Sequence, residues 1–387
     1  MKKKKILIWG YYGANNFGDD LIFNVLFENL QSLKDEYEFW YSVKDPESSY
    51  RNIDATPIQF FNRKSSFKPL NFLLNIIQLF STILKMDAVI IGGGTQFFEI
   101  DGRKNISILL KNIACKICKI RGKAFITAGV GVGNVTSKRG MKNIAQLFNK
   151  ATYSFVRDQN SYDRLIELGV KPNKVTLGKD LSYYSKKVLD FIPSNESIET
   201  KCIGINVFDY YNYIEKSAEK NQAFRKALTS FLSHLENEGY TIHLFALQKG
   251  SGGRDFEFMK EISTGIKHKF HYYKDDINHF MNMVGKMDIN IGMRYHLAVI
   301  SLQFGVPTIG VNYQPKVRRE FKLFNIEEFV LEMDDILKGN ILGMFNNMTA
   351  QKNIIQTKVQ GELNKIIAGI DQNTIKKITQ IITNGVK

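Results

Sequence analysis

Lys5-Ile-Leu-Ile-Trp9, running into Gly10-Tyr-Tyr-Gly13-Ala-Asn-Asn16-Phe-Gly18-Asp-Asp20 and then the amphipathic stretch Asp20–Leu33, decides the fold class. A short apolar run that ends in a glycine-rich turn and passes into a helical pattern reads as strand, loop, helix. The unit recurs: Ala88-Val-Ile-Ile91 precedes Gly92-Gly-Gly94, Ala124-Phe-Ile-Thr127 precedes Gly129-Val-Gly131-Val-Gly133, and Thr152–Val156 precedes Arg157-Asp158. Helical patterns at Ile106–Ile120 and Ser161–Leu168 lie between them, the second closed by Gly169. Continuously apolar strands alternating with helices belong to a parallel sheet covered on both faces.

A second series follows. Cys202–Val207, Thr241–Ala246, Met287–Ile291 and Pro307–Val311 read as strands, Gln222–Glu238 and Tyr295–Phe304 as helices, and Gln351–Ile382 as terminal helices. Residues 186–200 show neither period and contain Pro193, so the linker is expected there. The expected fold is therefore α/β, two Rossmann-like doubly wound domains facing a cleft. Residues 1–190 form the first domain, 200–350 the second, and 351–387 are terminal helices that can pack back on the first. Open sheets of this kind bind ligands beyond the carboxyl ends of their strands.

The chain has 387 residues, 44% hydrophobic and 24% charged, which excludes a disordered chain and suits about two cores. Its three cysteines make no disulfide framework, and Met1 leads into an apolar run too short for a secretory signal, so a cytoplasmic location is expected. The net charge of +15 invites a nucleic-acid reading. No nucleic-acid module is visible, however, and genome bias toward lysine explains the number equally well. The excess is uneven, +11 over residues 1–197 and +4 over the remainder. Leu70–Leu84 is apolar except for a stripe of Asn71, Asn75, Gln78, Ser81 and Thr82, with Arg63, Lys64, Lys68 and Lys85 flanking it. It is too short to span a bilayer. A helix buried against the sheet and a helix lying on an anionic membrane both fit the pattern.

Several loops carry chemistry. The spacing of Gly13, Asn16 and Gly18 matches neither a dinucleotide fingerprint nor a P-loop, but suits close backbone approach to an anion or to sugar hydroxyls. Asp19 and Asp20 either bind acceptor hydroxyls or cap the helix. Gly93 and Gly94 share that sheet edge. Arg157 can bind phosphate or carboxylate bidentately, or pair with Asp158 at the surface. In Gly292-Met-Arg294-Tyr-His296, two basic residues open an apolar helix, opposing its dipole, an arrangement that calls for an anion; Lys316 converges on the same rim. Cys115-Lys-Ile-Cys118 is a single C-x-x-C in a helical pattern, and His268 and His271 lack metal spacing, so no metal is expected.

Gly13-x-x-Asn16-x-Gly18-Asp19-Asp20, Asp87 to Gly94, Val156-Arg157-Asp158-x-x-Ser161 with Leu168-Gly169-Val170, and Gly292-Met-Arg294-x-His296 through Gly305-Val-Pro307 to Tyr313-x-Pro315-Lys316-Val317 together resemble the polysaccharide pyruvyl transferase family. The ordered match covers about residues 6–320. The resemblance implies a GT-B-like fold, with an acceptor-binding first domain, a donor-binding second domain, and transfer of the enolpyruvyl unit of phosphoenolpyruvate to a sugar as a pyruvate ketal. It implies that Arg157, Arg294 and His296 bind the donor, with Tyr295 and Lys316 beside them. Gly13, Asn16, Gly18, Asp19, Asp20, Gly93 and Gly94 then face the acceptor. The chain departs from the family at Asp20, where glutamate is common, and at Thr95 after the glycine triplet, which leaves the acceptor open.

The chemistry suits these residues. A donor carrying phosphate and carboxylate needs two cationic anchors, and protonating its methylene carbon needs a general acid, for which His296 is suited. Asp20 or Asp19 orients or deprotonates the acceptor hydroxyl. No cofactor is expected beyond phosphoenolpyruvate as co-substrate; the expected partners are a sugar acceptor, lipid-diphosphate-linked in one form, and an anionic membrane surface. A nucleotide-sugar glycosyltransferase and a non-catalytic anionic-glycan or membrane-surface binding protein on the same fold are the alternatives.

Overall fold

The computed structural model describes residues 3–45, 53–61, 68–99, 105–185, 201–248, 254–274 and 276–385. The linker expected at 186–200 lies outside them. The chain divides into two compact units: unit 1 is Met1–Ala14, Asp19–Ser185 and Ile370–Lys387, and unit 2 is Asn15–Gly18 and Lys186–Gly369. The expected terminal segment 351–387 is therefore divided: the helix Lys352–Ala368 stays in unit 2, and the helix Asn373–Asn384 lies in unit 1. There Tyr37 Oη donates to the Ile382 carbonyl and Tyr153 Oη to the Thr374 carbonyl, each at 3.0 Å.

Unit 1 holds β1 (Lys4–Tyr12), β2 (Tyr37–Val43), β3 (Thr56–Ile58), β4 (Ala88–Gly92), β5 (Thr95–Phe97), β6 (Ala124–Val132), β7 (Tyr153–Val156) and β8 (Thr176–Leu177). They pair in parallel in the order β3-β2-β1-β4-β6-β7-β8, with β5 joined to the far end of β6. Every residue of β4 and β6 is buried, as the unbroken apolar runs predict for strands covered on both faces.

One expectation changes here. The Gly129–Gly133 segment reads as a loop, yet β6 runs on through Val132. Gly129 takes φ +62°, and the register against β7 slips between Thr127 and Val130, so a glycine-centred bulge lets the strand bend and continue.

Unit 2 holds β9 (Cys202–Asn206), β10 (Thr241–Ala246), β11 (Lys269–Tyr272), β12 (Ile289–Gly292), β13 (Thr308–Asn312) and β14 (Val330–Glu332), all parallel in the order β11-β10-β9-β12-β13-β14. Counted within the unit this is 3-2-1-4-5-6, the doubly wound order, and unit 1 follows the same rule through its first four paired strands. In each sheet the order reverses at one place, between β1 and β4 and between β9 and β12. Ligand sites in such sheets form beyond the carboxyl ends of those strands.

Candidate functional site

In unit 2 the reversal is occupied by the densest sequence motif. Asn206 ends β9 in register with Gly292 at the end of β12. Its Nδ2 donates to the Phe245 carbonyl at 2.8 Å and to Asp255 Oδ2 at 3.3 Å, while its Oδ1 accepts the backbone N–H of Arg294 at 2.8 Å. Arg294 is the N-cap residue of the helix Tyr295–Gln303. Its Nε donates to both Asp255 oxygens at 3.1 and 3.2 Å, and Nη2 to Oδ1 at 2.5 Å. The Phe208 ring lies against the guanidinium at 4.2 Å. Burial opposes the charged form, but the Asp255 carboxylate and a hydrogen bond with Tyr313 outweigh it and hold the arginine above its ordinary pKa. Arg294 is therefore a fixed, permanent cation.

The anion that the basic helix start demands is thus present within the fold. Asp255 is fully buried at the first position of the helix Asp255–Ile262, and nothing near Arg294 in sequence announces it. Asn206 and Asp255 are the residues that sequence reasoning missed here; the polar end of an otherwise apolar strand was the available signal for Asn206.

His296 occupies the second position of the same helix, its ring 5.2 Å from that of Tyr295. Gly18 runs alongside: a Cβ there would lie 2.6 Å from both Cγ and Cε1 of His296. The segment Asn15–Gly18 is built into unit 2, with the Phe17 N–H donating to the Leu247 carbonyl at 2.9 Å, Asn16 bridging to Gln248, and the Phe17 ring packed against Tyr273 and Phe280. Asn16 Oδ1 accepts the Gly18 N–H at 3.0 Å. Asn16 and Gly18, read from sequence with the acceptor loop, accordingly stand with His296. Lys316 enters from the helix Pro315–Leu323, its Nζ 5.3 Å from the centroid of the Tyr295 ring and 6.0 Å from that of Tyr313. The buried Tyr295 hydroxyl donates to Glu320 Oε2 at 3.0 Å.

Gly13, Asp19, Asp20, Gly93 and Gly94 gather at the reversal of unit 1. Asp20 is buried, and its Oδ1 accepts the Gly13 N–H at 3.2 Å, which closes the loop. Asp19 is half-buried beside Gly94, where a Cβ would sit 3.3 Å from its Oδ1. Tyr12, whose hydroxyl donates to the Gly92 carbonyl at 3.0 Å, has its phenol pKa raised by burial and by both carboxylates.

Arg157 also belongs to unit 1. It is buried, not paired at the surface: Nη1 meets Asp180 Oδ2 at 3.3 Å, Nη2 meets Thr95 Oγ1 at 3.0 Å, and Nε meets Asp158 Oδ2 at 3.4 Å. Gly131 makes room for the guanidinium, since a Cβ there would lie 2.9 Å from Nε and Nη2. Asp158 also caps the next helix through the Ser161 N–H at 2.8 Å.

A group that sequence reasoning passed over is Lys111, buried on the helix Ile106–Ile120. Its Nζ donates to the carbonyl and Oε1 of Gln96 at 3.2 and 3.0 Å, near the Trp9 and Phe97 rings, and burial pushes its pKa down to about 7. Its one signal is a charge interrupting an apolar helix. Cys115 and Cys118 lie buried in the same helix, their thiols pushed up to about 12 by burial. Among the described residues no cluster of three or more His, Cys, Asp or Glu side chains is placed to hold a metal ion.

Two Rossmann-like units place this protein in a GT-B-like structural class, and solved structures bear that out. Staphylococcus aureus MnaA, determined with UDP, matches with a TM-score of 0.63 at 12% identity, covering 98% of this chain and 96% of that one. Anabaena Alr3699/HepE, determined with UDP-glucose, matches with a TM-score of 0.58 at 13% identity over 98% of both chains. In sequence, residues 16–315 match the profile of the polysaccharide pyruvyl transferases, and the chain belongs to that family of transferases. The amylovoran biosynthesis protein AmsJ of Erwinia amylovora is 22% identical over 399 aligned positions, which span 92% of this chain and 94% of AmsJ.

Proposed function

We propose that the protein transfers the enolpyruvyl group of phosphoenolpyruvate to a sugar of a cell-surface polysaccharide or its lipid-linked precursor, forms a pyruvate ketal and releases phosphate. The observation that carries this reading is the pair Arg294 and His296 at the strand reversal of unit 2, in a chain of this family. The biosynthetic role of AmsJ supports a polysaccharide acceptor. Arg294, rigid against Asp255, anchors one anionic group of the donor; Lys316, over Tyr295, neutralises another. Arg157, held by Asp180, Asp158 and Thr95, is the further cation assigned to the donor.

His296 delivers a proton to the methylene carbon, and the first sugar hydroxyl attacks the C2 cation while losing its own proton. Phosphate departs from C2, and a second hydroxyl of the same sugar adds there and loses its proton, which closes the ketal. Asp20 holds the Gly13 loop, and Asp19, beside Gly94, is the carboxylate that orients an acceptor hydroxyl; Gly13, Gly93, Gly94, Asn16 and Gly18 supply the close backbone. No cofactor or metal enters these steps. Action from the cytoplasmic side on a lipid-diphosphate-linked sugar completes the proposal.

The test is phosphate release from phosphoenolpyruvate in the presence of aryl or lipid-diphosphate-linked glycosides, with the ketal identified by mass spectrometry. Release that depends on Arg294 and His296 supports the reading. Turnover of a nucleotide sugar without phosphate release from phosphoenolpyruvate overturns it.

A further inference from the structure

The helix Lys68–Lys85 carries apolar residues on both of its sides. Part of its polar stripe faces inward: Asn75 and Thr82 are buried and Gln78 Nε2 donates to the Gln59 carbonyl at 3.2 Å, while Ser81 is exposed. Leu79 and Ile83 fill the core beside them. The opposite stripe, Leu70, Leu73, Ile77 and Leu84, is 44–54% exposed and is interrupted by exposed Ser81 between Ile77 and Leu84. Side chains of this size left half in water forgo about half of the free energy that full burial would bring, and an outward apolar face broken only by Ser81 marks a surface of interaction.

The end of this helix is basic. Lys85 is exposed, and the exposed Arg121 docks there, its Nη1 donating to the Met86 carbonyl at 3.3 Å. Exposed Lys119 and the almost fully exposed Ile120, at 85%, precede Arg121 at the end of the neighbouring helix. The nearby Asp87 carboxylate is engaged by Lys123 at 2.6 Å and by the Lys5 N–H at 2.9 Å, so it does not cancel this charge. Among the described residues no helix is long and apolar enough to cross a membrane.

We infer that this face docks on an anionic lipid surface, with Leu70, Leu73, Ile77, Leu84 and Ile120 entering the headgroup and acyl boundary and Lys85, Lys119 and Arg121 against the headgroups. A helix lying in the interface needs an outward apolar face with cations at its margin, and charge complementarity selects anionic over neutral lipid. The inference goes beyond the transferase reading and stands whatever the donor is.

The experiment is flotation of the full chain with vesicles of phosphatidylcholine alone or mixed equally with phosphatidylglycerol, at low and high salt. The parent floats with the anionic vesicles and not the neutral ones. Leu73→Ser with Ile77→Ser lowers partitioning at least tenfold, and Lys85→Glu with Lys119→Glu removes the preference for anionic lipid. Thermal melts unchanged from the parent show that both variants are folded, and parallel phosphoenolpyruvate binding in solution separates failure here from failure of the transferase reading. A parent that stays with the protein fraction overturns the inference. So does light scattering that shows a dimer dissolved by the Leu73→Ser, Ile77→Ser pair, which would assign the face to a second copy of the chain.

Discussion

Gly18→Ala isolates the placement of His296. Gly18 does not occupy the left-handed region, so alanine brings no backbone strain at this second residue of the helix Phe17–Asn29. The new Cβ would stand 2.6 Å from Cγ and Cε1 of the imidazole, where carbon atoms settle at about 3.5 Å or more. Nδ1 would lie nearer still, so the ring must retreat by about 1.5 Å. A displacement of about 1 Å at a reacting group already costs about 100-fold in rate, or about 2.7 kcal/mol, so the loss is at least that. Because the ring is only half-buried it can move without unfolding the unit, so the melting temperature should hold. The assay combines phosphate release with the histidine ring signals in proton–nitrogen spectra: one of six histidines shifts and turnover falls by at least about 100-fold. An alanine variant with parental ring signals and parental turnover would refute the contact between Gly18 and His296 and the role built on it.

Asp255→Asn leaves the Arg294 guanidinium without its buried counter-charge; loss of one partner of such a pair costs about 3–5 kcal/mol, and donor affinity falls with it. Equilibrium unfolding in urea and phosphoenolpyruvate titration read the two effects, and parental values in both would remove Asp255 from the site. Lys111 carries a pH signature. Its pKa falls from 10.5 to about 7 on folding, so between those values the unfolded chain binds more protons and stability rises with pH, by at most about 5 kcal/mol at 1.36 kcal/mol per decade. Lys111→Met flattens that rise and is the more stable protein at pH 7; urea midpoints at pH 6.5 and 9.5 that differ equally in parent and variant would contradict a neutralised, buried lysine.

The fold class and the main strands were legible because strands covered on both faces are predominantly apolar: β4 is so throughout, β9 up to Asn206, and β10 apart from Thr241 and His243. The short edge strands β3, β11 and β14 are partly exposed, so their residues obey no apolar pattern, and β8 is only two residues long. Glycine alone does not distinguish a loop from a bulged strand, which is why β6 extends past the expected turn.

Arg294, His296 and Arg157 were visible as basic residues at strand-to-helix junctions, since junction chemistry is local in the chain. What holds them was not: Asp255 stands 39 residues before Arg294, and Asp180 stands 23 residues after Arg157. Such partners are chosen by which strands lie side by side. The sequence by itself determined the fold class and the order of the main strands and helices, because period and turn chemistry are carried by neighbours along the chain. Only the tertiary structure decided which stripe of Lys68–Lys85 faces the core, since both stripes carry apolar residues and the packing of the sheet and neighbouring helices settles the choice.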